Sequence, residues 1–266
     1  MGLSAKNPRV ARLRKLSSNR KFRQSEGVFV LDSVAPIGEA VERSPDLVEA
    51  LWVDEMRVVH FAELTTVAEQ RGIEVHDLAD GVLERSLALE TSPGLAATVQ
   101  RPSTDLRGSA VAKGFDLVLA GVGDPGNAGT MVRTAEAMGV TRVLATAGTV
   151  DLFAPKVVRA SAGALLRLPV VDGLGVQELV DHCRNQQTTI VGAATRDGVD
   201  PGAIPTDAVA NSVALVVGSE AHGLEYELER ALDIAVTIPL AGDVESLNAA
   251  IAAAVIGFHL ASLRTK

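Results

Sequence analysis

The residues Gly121-Val-Gly-Asp-Pro-Gly126 form the glycine pattern that binds dinucleotide phosphates when it joins a strand to a helix. On this pattern alone, the sequence predicts nicotinamide binding and oxidoreductase chemistry. Pro125 weighs against that interpretation because it removes a backbone N–H where a pyrophosphate needs donors. Residues 127–129 also predict a helix that starts later, and no acidic residue ends the next strand to bind a ribose. Oxidoreductase chemistry is therefore the weaker interpretation.

Other polar side chains that could act on a substrate follow predicted strands or precede predicted helices. Arg133 comes six residues after Asn127, and Glu220 lies in a glycine-containing turn. Ser246 and Asn248 precede a long apolar run. Four of them have an ordinary structural alternative as well: Asn127 and Ser246 are good helix caps, and Glu220 and Arg133 suit a solvated surface. The residue types alone leave both interpretations open.

The five histidines, the acids and the single cysteine, Cys183, show no spacing typical of a metal site, so no metal is expected. One cysteine cannot form an intrachain disulfide. The sequence starts with polar and basic residues, and its longest apolar run spans about half the length that a membrane helix needs. We therefore expect a cytoplasmic protein without a membrane segment.

Basic residues are concentrated in residues 1–24, which contain no acid, although the whole chain has a net charge of −8. The rest of the chain has 17 basic against 33 acidic residues. A local cationic segment can bind phosphates on an acidic protein, because charges act over about 10 Å at ordinary salt. The alternative is a solvated, partly disordered tail. The cations are Lys6, Arg9, Arg12, Arg14, Lys15, Arg20, Lys21 and Arg23.

Apolar periodicity predicts an α/β organisation in the first part of the chain. Residues 101–114 have no apolar period and contain proline, glycine and serine, which is typical of a linker. A first domain over residues 1–105 is therefore expected. Its predicted strands lie near 27–31, 50–53, 73–76 and 95–100, and its helices near 36–41 and 61–70.

Residues 106–266 alternate strands and helices more regularly. Most of the predicted strands are continuous apolar runs, which indicates a mostly parallel sheet covered by helices on both faces. Ligands bind at the carboxyl ends of such strands. The strands are predicted near 116–120, 142–145, 168–171, 188–193, 213–217 and 234–238. The helices are predicted near 128–138, 155–166, 176–185, 225–231 and 246–263.

Three segments together resemble motifs one, two and three of the SpoU/TrmH family of S-adenosylmethionine-dependent RNA 2′-O-ribose methyltransferases. They agree with the family in order and spacing, and the resemblance runs from Asp116 to Phe258. The segments are Asp124-Pro-Gly-Asn-Ala-Gly-Thr-Met-Val-Arg-Thr-Ala-Glu-Ala-Met-Gly139, Leu215-Val-Val-Gly-Ser-Glu-Ala-His-Gly-Leu224 and Ile238-Pro-Leu-Ala-Gly-Asp-Val-Glu-Ser-Leu-Asn-Ala-Ala250.

The N-terminal part resembles the ribosomal-protein-like RNA-binding domain that precedes the catalytic domain in many members. The resemblance rests on Asn7-Pro8 and on a pattern that ends in Gly27-Val-Phe-Val. Where the family usually has Glu-Gly after this strand, the chain has Asp32-Ser33. The fold implied by the whole resemblance is a C-terminal, mostly parallel sheet with a deep trefoil knot, a smaller N-terminal α/β domain, and a homodimer. General topology rules alone would predict no knot.

The resemblance also implies roles for individual residues. Arg133 corresponds to the family's essential arginine, placed by its helix beside the transferring methyl group. Our hypothesis is that it grips the target phosphate, orients the ribose 2′-hydroxyl and assists loss of its proton. Asn127 would hold the substrate, and Glu220 would hold the substrate or Arg133. Ser246 and Asn248 would hydrogen-bond cofactor, substrate or Arg133 and so maintain the geometry of the site.

For the cofactor, the resemblance implies an adenine pocket made of small and aliphatic residues, with backbone groups as hydrogen-bond partners. The alternative for each aliphatic residue is an ordinary place in the core. The predicted S-adenosylmethionine-binding residues are Thr195, Gly218, Ile238, Leu240 and Leu247.

The sequence thus predicts a methyltransferase with RNA as its partner, and not DNA, because DNA lacks the 2′-hydroxyl. Ribosomal RNA is the first choice of substrate and transfer RNA the second. The alternative is a noncatalytic RNA-binding or ribosome-assembly factor that retains the fold. The predicted RNA-binding residues are Arg9, Arg12, Arg14, Lys15, Arg20, Lys21 and Arg23.

Overall fold

The structure, a computed structural model, describes residues 2–89, 92–102, 106 and 113–264. Its internal contacts divide the chain into two units. Unit 1 comprises Met1–Pro102 and Phe153–Leu166, and unit 2 comprises Ser103–Leu152 and Arg167–Lys266. Most of the predicted linker at 101–114 lies outside the described residues. The grouping of Phe153–Leu166 with the N-terminal residues was not anticipated from the sequence, which placed them in the second domain.

The strands are short and mostly buried, and each unit contains one sheet. Unit 1 contains β1 (Val28–Leu31), β2 (Val48–Asp54), β3 (Glu74–Leu78) and β4 (Leu95–Gln100). Unit 2 contains β5 (Phe115–Ala120), β6 (Arg142–Thr146), β7 (Val170–Leu174), β8 (Thr189–Ala193), β9 (Val213–Gly218) and β10 (Ile234–Val236).

Helices separate most of these strands. They are α1 (Pro8–Ser18), α2 (Arg20–Glu26), α3 (Val34–Arg43), α4 (Ala62–Gln70), α5 (Val82–Leu87), α6 (Pro125–Ala137), α7 (Pro155–Ser161), α8 (Val176–Asn185), α9 (Tyr226–Arg230) and α10 (Ala249–Arg264). Among the residues that the structure describes, no helix combines the length and hydropathy needed to cross a bilayer.

The sheet of unit 1 has the strand order β1-β4-β2-β3. Strand β4 pairs antiparallel with both of its neighbours, whereas β2 and β3 are parallel. Helix α1 contacts α5 and β1, and it places Val10, Leu13 and Leu16 in the core beneath the sheet. The predicted α/β character of this part of the chain is therefore confirmed.

The basic N-terminal segment is folded, which contradicts the alternative of a partly disordered tail. Asn7 caps α1 by accepting a hydrogen bond from the N–H of Arg9 at 2.9 Å, and Pro8 occupies the first turn. Asn19 caps α2 in the same way. Two capped helices with a buried apolar face cannot behave as a solvated tail.

Several of the predicted RNA-binding cations have polar partners within unit 1, and among them Arg9 pairs with Glu74 at 3.3 Å. Arg23 is buried, and its Nη1 donates to the carbonyl oxygens of Leu16 at 2.6 Å and Ser17 at 3.1 Å. We therefore remove Arg23 from the predicted RNA-binding set. Arg12 forms ion pairs with Glu26 at 2.9 Å and Glu49 at 3.0 Å, so part of its charge is already neutralised within unit 1.

The sheet of unit 2 is parallel throughout and has the order β10-β8-β9-β5-β6-β7. This confirms the predicted parallel sheet, and it places the carboxyl ends of all six strands at one edge. The helix predicted near 155–166 ends at Ser161. Two of the predicted strand boundaries in this sheet also need correction. Strand β7 lies two to three residues later than expected, and β10 ends at Val236 rather than at residue 238, because the residues after Val236 leave the ladder.

The opposite edge of this sheet contains a buried ion pair. Arg142, the first residue of β6, donates two hydrogen bonds to Asp116 of β5 at 2.9 and 2.7 Å. Its Nη2 also lies 2.7 Å from Nε2 of His182 on α8. Burial and the neighbouring Arg142 charge lower the pKa of His182, so this ring is the neutral acceptor of the cluster.

Removing one partner of this cluster should destabilise unit 2 strongly. We expect Arg142→Met to lower the free energy of unfolding by about 3–5 kcal/mol, because it leaves the Asp116 carboxylate buried without its cation. Arg184→Met removes the half-exposed ion pair with Asp233 and should cost less than about 1 kcal/mol. Urea unfolding followed by circular dichroism measures both. Equal losses in the two variants would contradict this assignment.

Candidate active site

A cavity of about 390 Å³ opens at the carboxyl ends of β8 and β9. Its lining comes from the ends of these two strands, the segment 238–248 and the first turns of α10. The predicted cofactor-binding residues all belong to this lining: Thr195, Gly218, Ile238, Leu240 and Leu247. The structure thus brings together five residues that lie up to 52 positions apart in the sequence.

Three of the five predicted catalytic residues also line the cavity: Glu220, Ser246 and Asn248. Asn127 is joined to two of them by hydrogen bonds. Its Nδ2 donates to Oε1 of Glu220 at 2.7 Å, and its Oδ1 accepts from Nδ2 of Asn248 at 2.9 Å. We call this arrangement of Asn248, Asn127 and Glu220 the amide bridge.

Asn127 owes its position to the way in which α6 begins. The sequence predicted a helix from Ala128 with Asn127 as its cap, and this is wrong. Asp124 is the cap, and its Oδ1 accepts from the N–H of Asn127 at 2.7 Å. Pro125 occupies the first turn, where its missing N–H costs no hydrogen bond. The side chain of Asn127 is therefore not needed as a cap and can form the amide bridge.

Asn248 is the residue that caps α10. The predicted start of this helix at Ser246 is wrong, because α10 begins at Ala249. Oδ1 of Asn248 accepts from the N–H groups of Ala250 at 2.9 Å and Ile251 at 3.2 Å. Ser246 is exposed in the preceding loop and lines the cavity without capping the helix.

Arg133 does not line the cavity, although the sequence placed it beside the reacting groups. It lies on α6 six residues after Asn127, which is a rotation of about 240° and a rise of about 9 Å. The two side chains thus leave the helix on different sides. Arg133 is exposed, and no hydrogen bond or ion pair joins it to another residue within the described ranges.

The backbone at Gly218 approaches the turn that carries Glu220. Ser219 and Gly223 exchange two backbone hydrogen bonds of 2.9 and 2.8 Å, and Gly223 has a φ of 70°, which favours glycine. A Cβ on Gly218 would lie 2.5 Å from the carbonyl carbon and oxygen of Gly223. Only glycine at residue 218 lets this turn fold back beside the cavity.

The cavity has the properties of an adenosine site. Ile238, Leu240 and Leu247 supply apolar surface for a ring, and Gly218 exposes backbone rather than a side chain in the lining. The carboxylates of Glu220 and Glu245 in the lining suit a positively charged group such as a sulfonium or an ammonium. The residues present therefore fit the predicted S-adenosylmethionine.

Other chemistry has less support in this part of the molecule. Burial raises the pKa of the Cys183 thiol to about 12, so it is not a thiolate nucleophile at neutral pH. Within the described ranges, no group of three or more His, Cys, Asp or Glu side chains could hold a metal ion.

The sequence interpretation missed several residues of the site. Ala249, Ala252 and Ile256 line the cavity from α10 at helical spacing, a period that the alanine-rich run contained. Glu245 and the cap Asp124 were also missed. The Asp124-Pro125 pair is a typical helix start and could have given the correct boundary.

A parallel sheet with an adenosine-sized cavity at its carboxyl edge defines a class of nucleotide-cofactor-binding α/β proteins. Residues 114–258 match the model of the SpoU rRNA Methylase family. The chain belongs to this family.

Similar proteins cover nearly the whole chain. The 23S rRNA (guanosine(2553)-2′-O)-methyltransferase RlmP of Bacillus subtilis is 33% identical, over 97% of this chain and 97% of its own length. The 23S rRNA (uridine(2479)-2′-O)-methyltransferase of Streptomyces viridochromogenes is 30% identical, over 96% of this chain and 89% of its own. The crystal structure of the SpoU methyltransferase AviRb from S. viridochromogenes in complex with the cofactor AdoMet has a TM-score of 0.83 and 27% identity, covering 97% of this chain and 99% of that one.

We expect Gly218→Ala to disrupt the cavity. The added methyl group meets the backbone of Gly223 at 2.5 Å, so the turn that carries Glu220 must move. Gly242→Ala is the matched control, because a Cβ there meets nothing within 4 Å. Calorimetric titration with S-adenosylhomocysteine should give at least about tenfold weaker binding for Gly218→Ala, a loss of about 1.4 kcal/mol, and wild-type binding for Gly242→Ala. Equal affinities would place the ligand elsewhere.

Proposed function

We propose that this protein transfers a methyl group from S-adenosylmethionine to a ribose 2′-hydroxyl of 23S ribosomal RNA. The observation that carries the proposal is the cavity, which joins the five predicted cofactor residues to Glu220, Ser246 and Asn248. Relatives similar over nearly the full chain are named as 23S rRNA 2′-O-methyltransferases. One acts on a guanosine and the other on a uridine, so the target base is left open. Such a reaction takes place in the cytoplasm, and DNA is not a substrate because it lacks the 2′-hydroxyl.

In this proposal some residues of the cavity bind the cofactor and others position the ribose. Ile238, Leu240 and Leu247 pack against the adenine, and the backbone of Gly218 and the side chain of Thr195 provide polar contacts. When bound, S-adenosylmethionine supplies an electrophilic methyl group on a sulfonium. Ser246, which is exposed in the lining of the cavity, would donate a hydrogen bond to the cofactor or to the ribose, and the amide bridge holds one oxygen of Glu220. Together these groups would orient the ribose.

Arg133 is the proposed ligand of the target phosphate. A guanidinium can bind two phosphate oxygens at once, and Arg133 is exposed without a competing acid among the described residues. Phosphate binding by Arg133 fixes the nucleotide and so places the 2′-hydroxyl in line with the methyl group. This proposal does not require Arg133 to lie inside the cavity of its own protomer.

A homodimer would form through the outer faces of α6 and α10, which pack against each other. The exposed residues of α10 include Ile251, Val255 and Phe258, which are 51%, 44% and 49% exposed and share one side of the helix. Beside them α6 exposes Gly126, Thr130, Arg133 and Ala137. Self-association would bury this apolar face and place Arg133 in the interface. Sedimentation of the full chain as a monomer would overturn the dimer.

The proposed fold of unit 2 includes the trefoil knot. Strand β10 lies at one end of the sheet, yet α10, which follows it, packs against α6 and β9. The chain between them must cross back past the carboxyl ends of β8 and β9. This return path, together with the family membership, supports a threaded C-terminus.

Residues 1–105 are proposed to recruit the RNA and residues 106–266 to carry out the transfer. The recruiting surface would be the joint of α1 and α2, where four cations are exposed: Arg14, Lys15, Arg20 and Lys21. Arg9 and Arg12 lie on the same helix α1 but already pair with acids. If these cations bind phosphates, RNA affinity must fall steeply as salt rises.

A noncatalytic ribosome-assembly factor with the same fold is the second candidate. It accounts for the exposed cations but gives no reason for the hydrogen bonds among Asn248, Asn127 and Glu220.

Methyl transfer in vitro tests the proposed function. We expect the purified chain to transfer a labelled methyl group from S-adenosylmethionine to protein-free 23S rRNA, at one nucleotide that ribose-methylation mapping locates. RNA carrying a 2′-deoxy nucleotide at that position is the control and should accept nothing. Binding of RNA without methyl transfer to free or ribosomal 23S rRNA would favour the assembly factor instead.

Arg133→Lys should strongly reduce turnover while it leaves cofactor binding intact. Lysine keeps the charge but loses the planar pair of donors that binds two phosphate oxygens. We expect kcat/KM for RNA to fall about 100-fold, close to 2.7 kcal/mol of transition-state stabilisation. Calorimetry with S-adenosylhomocysteine should match the wild type. Full activity in this variant would remove Arg133 from the mechanism.

A further inference from the structure

Helix α10 determines which atoms donate and which accept along the amide bridge. Oδ1 of Asn248 accepts from the N–H groups of Ala250 and Ile251 at 2.9 and 3.2 Å. A backbone N–H can only donate, so the oxygen of this amide must face the helix and its nitrogen must face away. The usual ambiguity between amide oxygen and nitrogen is therefore resolved at Asn248.

The orientation of the Asn248 amide determines the orientation of the Asn127 amide and hence which atom of Asn127 faces Glu220. Nδ2 of Asn248 donates to Oδ1 of Asn127 at 2.9 Å, which leaves only Nδ2 of Asn127 to face the carboxylate. That nitrogen donates to Oε1 of Glu220 at 2.7 Å, a distance typical of a charge-assisted bond. Oε1 of Glu220 therefore acts as the acceptor. The cap of α10 thus determines, through Asn127, that a donor faces this oxygen.

The second carboxylate oxygen of Glu220, Oε2, is not bonded to Asn127. Oε2 makes no hydrogen bond to another of the described residues, and the exposed side chain lines the cavity. One carboxylate oxygen is therefore fixed while the other can receive a proton. The guanidinium of Arg133 has no acceptor atom and stays charged, so it cannot take this role.

We propose that Glu220 is the proton acceptor of the reaction, and that Asn248 and Asn127 are positioning residues that hold it ready. This inference rests on the proposed function. The O–H bond of the ribose 2′-hydroxyl breaks and its proton passes to Oε2 of Glu220. The electron pair of the hydroxyl oxygen forms the new bond to the methyl carbon, and the electrons of the carbon–sulfur bond stay on sulfur. The negative charge of the carboxylate and the positive charge of the sulfonium are lost together.

Asn248→Asp tests the positioning. Aspartate caps helices as well as asparagine does, but it replaces the donor Nδ2 with a second acceptor. The amide of Asn127 must then turn, and its oxygen faces Glu220. We expect the single-turnover rate at saturating RNA to fall at least about tenfold, with KM for RNA near the wild-type value. A crystal structure should show α10 starting at the same residue and the bond between Asn127 and Glu220 broken. Asn7→Asp, the same change at the cap of α1, is the control and should keep the wild-type rate.

Glu220→Gln tests the proton acceptor. Glutamine can still accept from Asn127 but cannot take a proton at neutral pH, so the rate should fall by about 10²–10⁴-fold. Formate added to Glu220→Ala should restore part of the rate, which a purely structural role would not allow. A wild-type rate in Glu220→Gln overturns the proton acceptor, and a wild-type rate in Asn248→Asp overturns the positioning. Failure of the wild type to bind S-adenosylmethionine would instead refute the proposed function.

Discussion

The candidate active site depends on a hydrogen bond that a helix must make for its own stability. The first N–H groups of α10 need an acceptor, and Asn248 supplies it. Because this bond leaves the amide of Asn248 only one orientation, it also fixes Asn127 and then Glu220. Three segments that lie far apart in the sequence are thus aligned by the hydrogen bonds that cap the start of a helix. Asn248 therefore both caps α10 and positions the neighbouring side chains of the site.

The parallel sheet of unit 2 makes this alignment possible. Its crossover helices return every strand in the same direction, so the loops after β5, β8 and β9 meet at one edge. The opposite edge is held by the buried Asp116 and Arg142, whose charges are matched within the sheet. At the carboxyl edge, by contrast, the strands lead into glycine-containing turns, such as the turn that Gly218 and Gly223 permit.

Much of this architecture could be predicted from the sequence, because continuous apolar strands and amphipathic helices follow from burial alone. The predicted limits of α8 agree with the structure. Helix starts were predicted less well. At α6 the Asp124-Pro125 pair indicates the correct start, and this signal was overlooked. At α10 both Ser246 and Asn248 could cap, and only the three-dimensional contacts show that Asn248 does so.

The surroundings of individual basic side chains were the other feature that could not be predicted from the sequence. Counting cations in residues 1–24 could not distinguish Arg23, which folds into unit 1 and donates to carbonyl groups, from the exposed Lys15 and Lys21. The position of Arg133 could not be predicted either, because motif spacing gives its place on α6 but not the side of the helix from which its neighbours approach.

A crystal structure of the protein with S-adenosylhomocysteine tests the central claim most directly. The account predicts an adenine packed among Ile238, Leu240 and Leu247, with the hydrogen bonds from Asn248 to Asn127 and from Asn127 to Glu220 both retained. A ligand bound outside this cavity, or an Asn248 side chain that has left the first turn of α10 and lost Asn127, would contradict it.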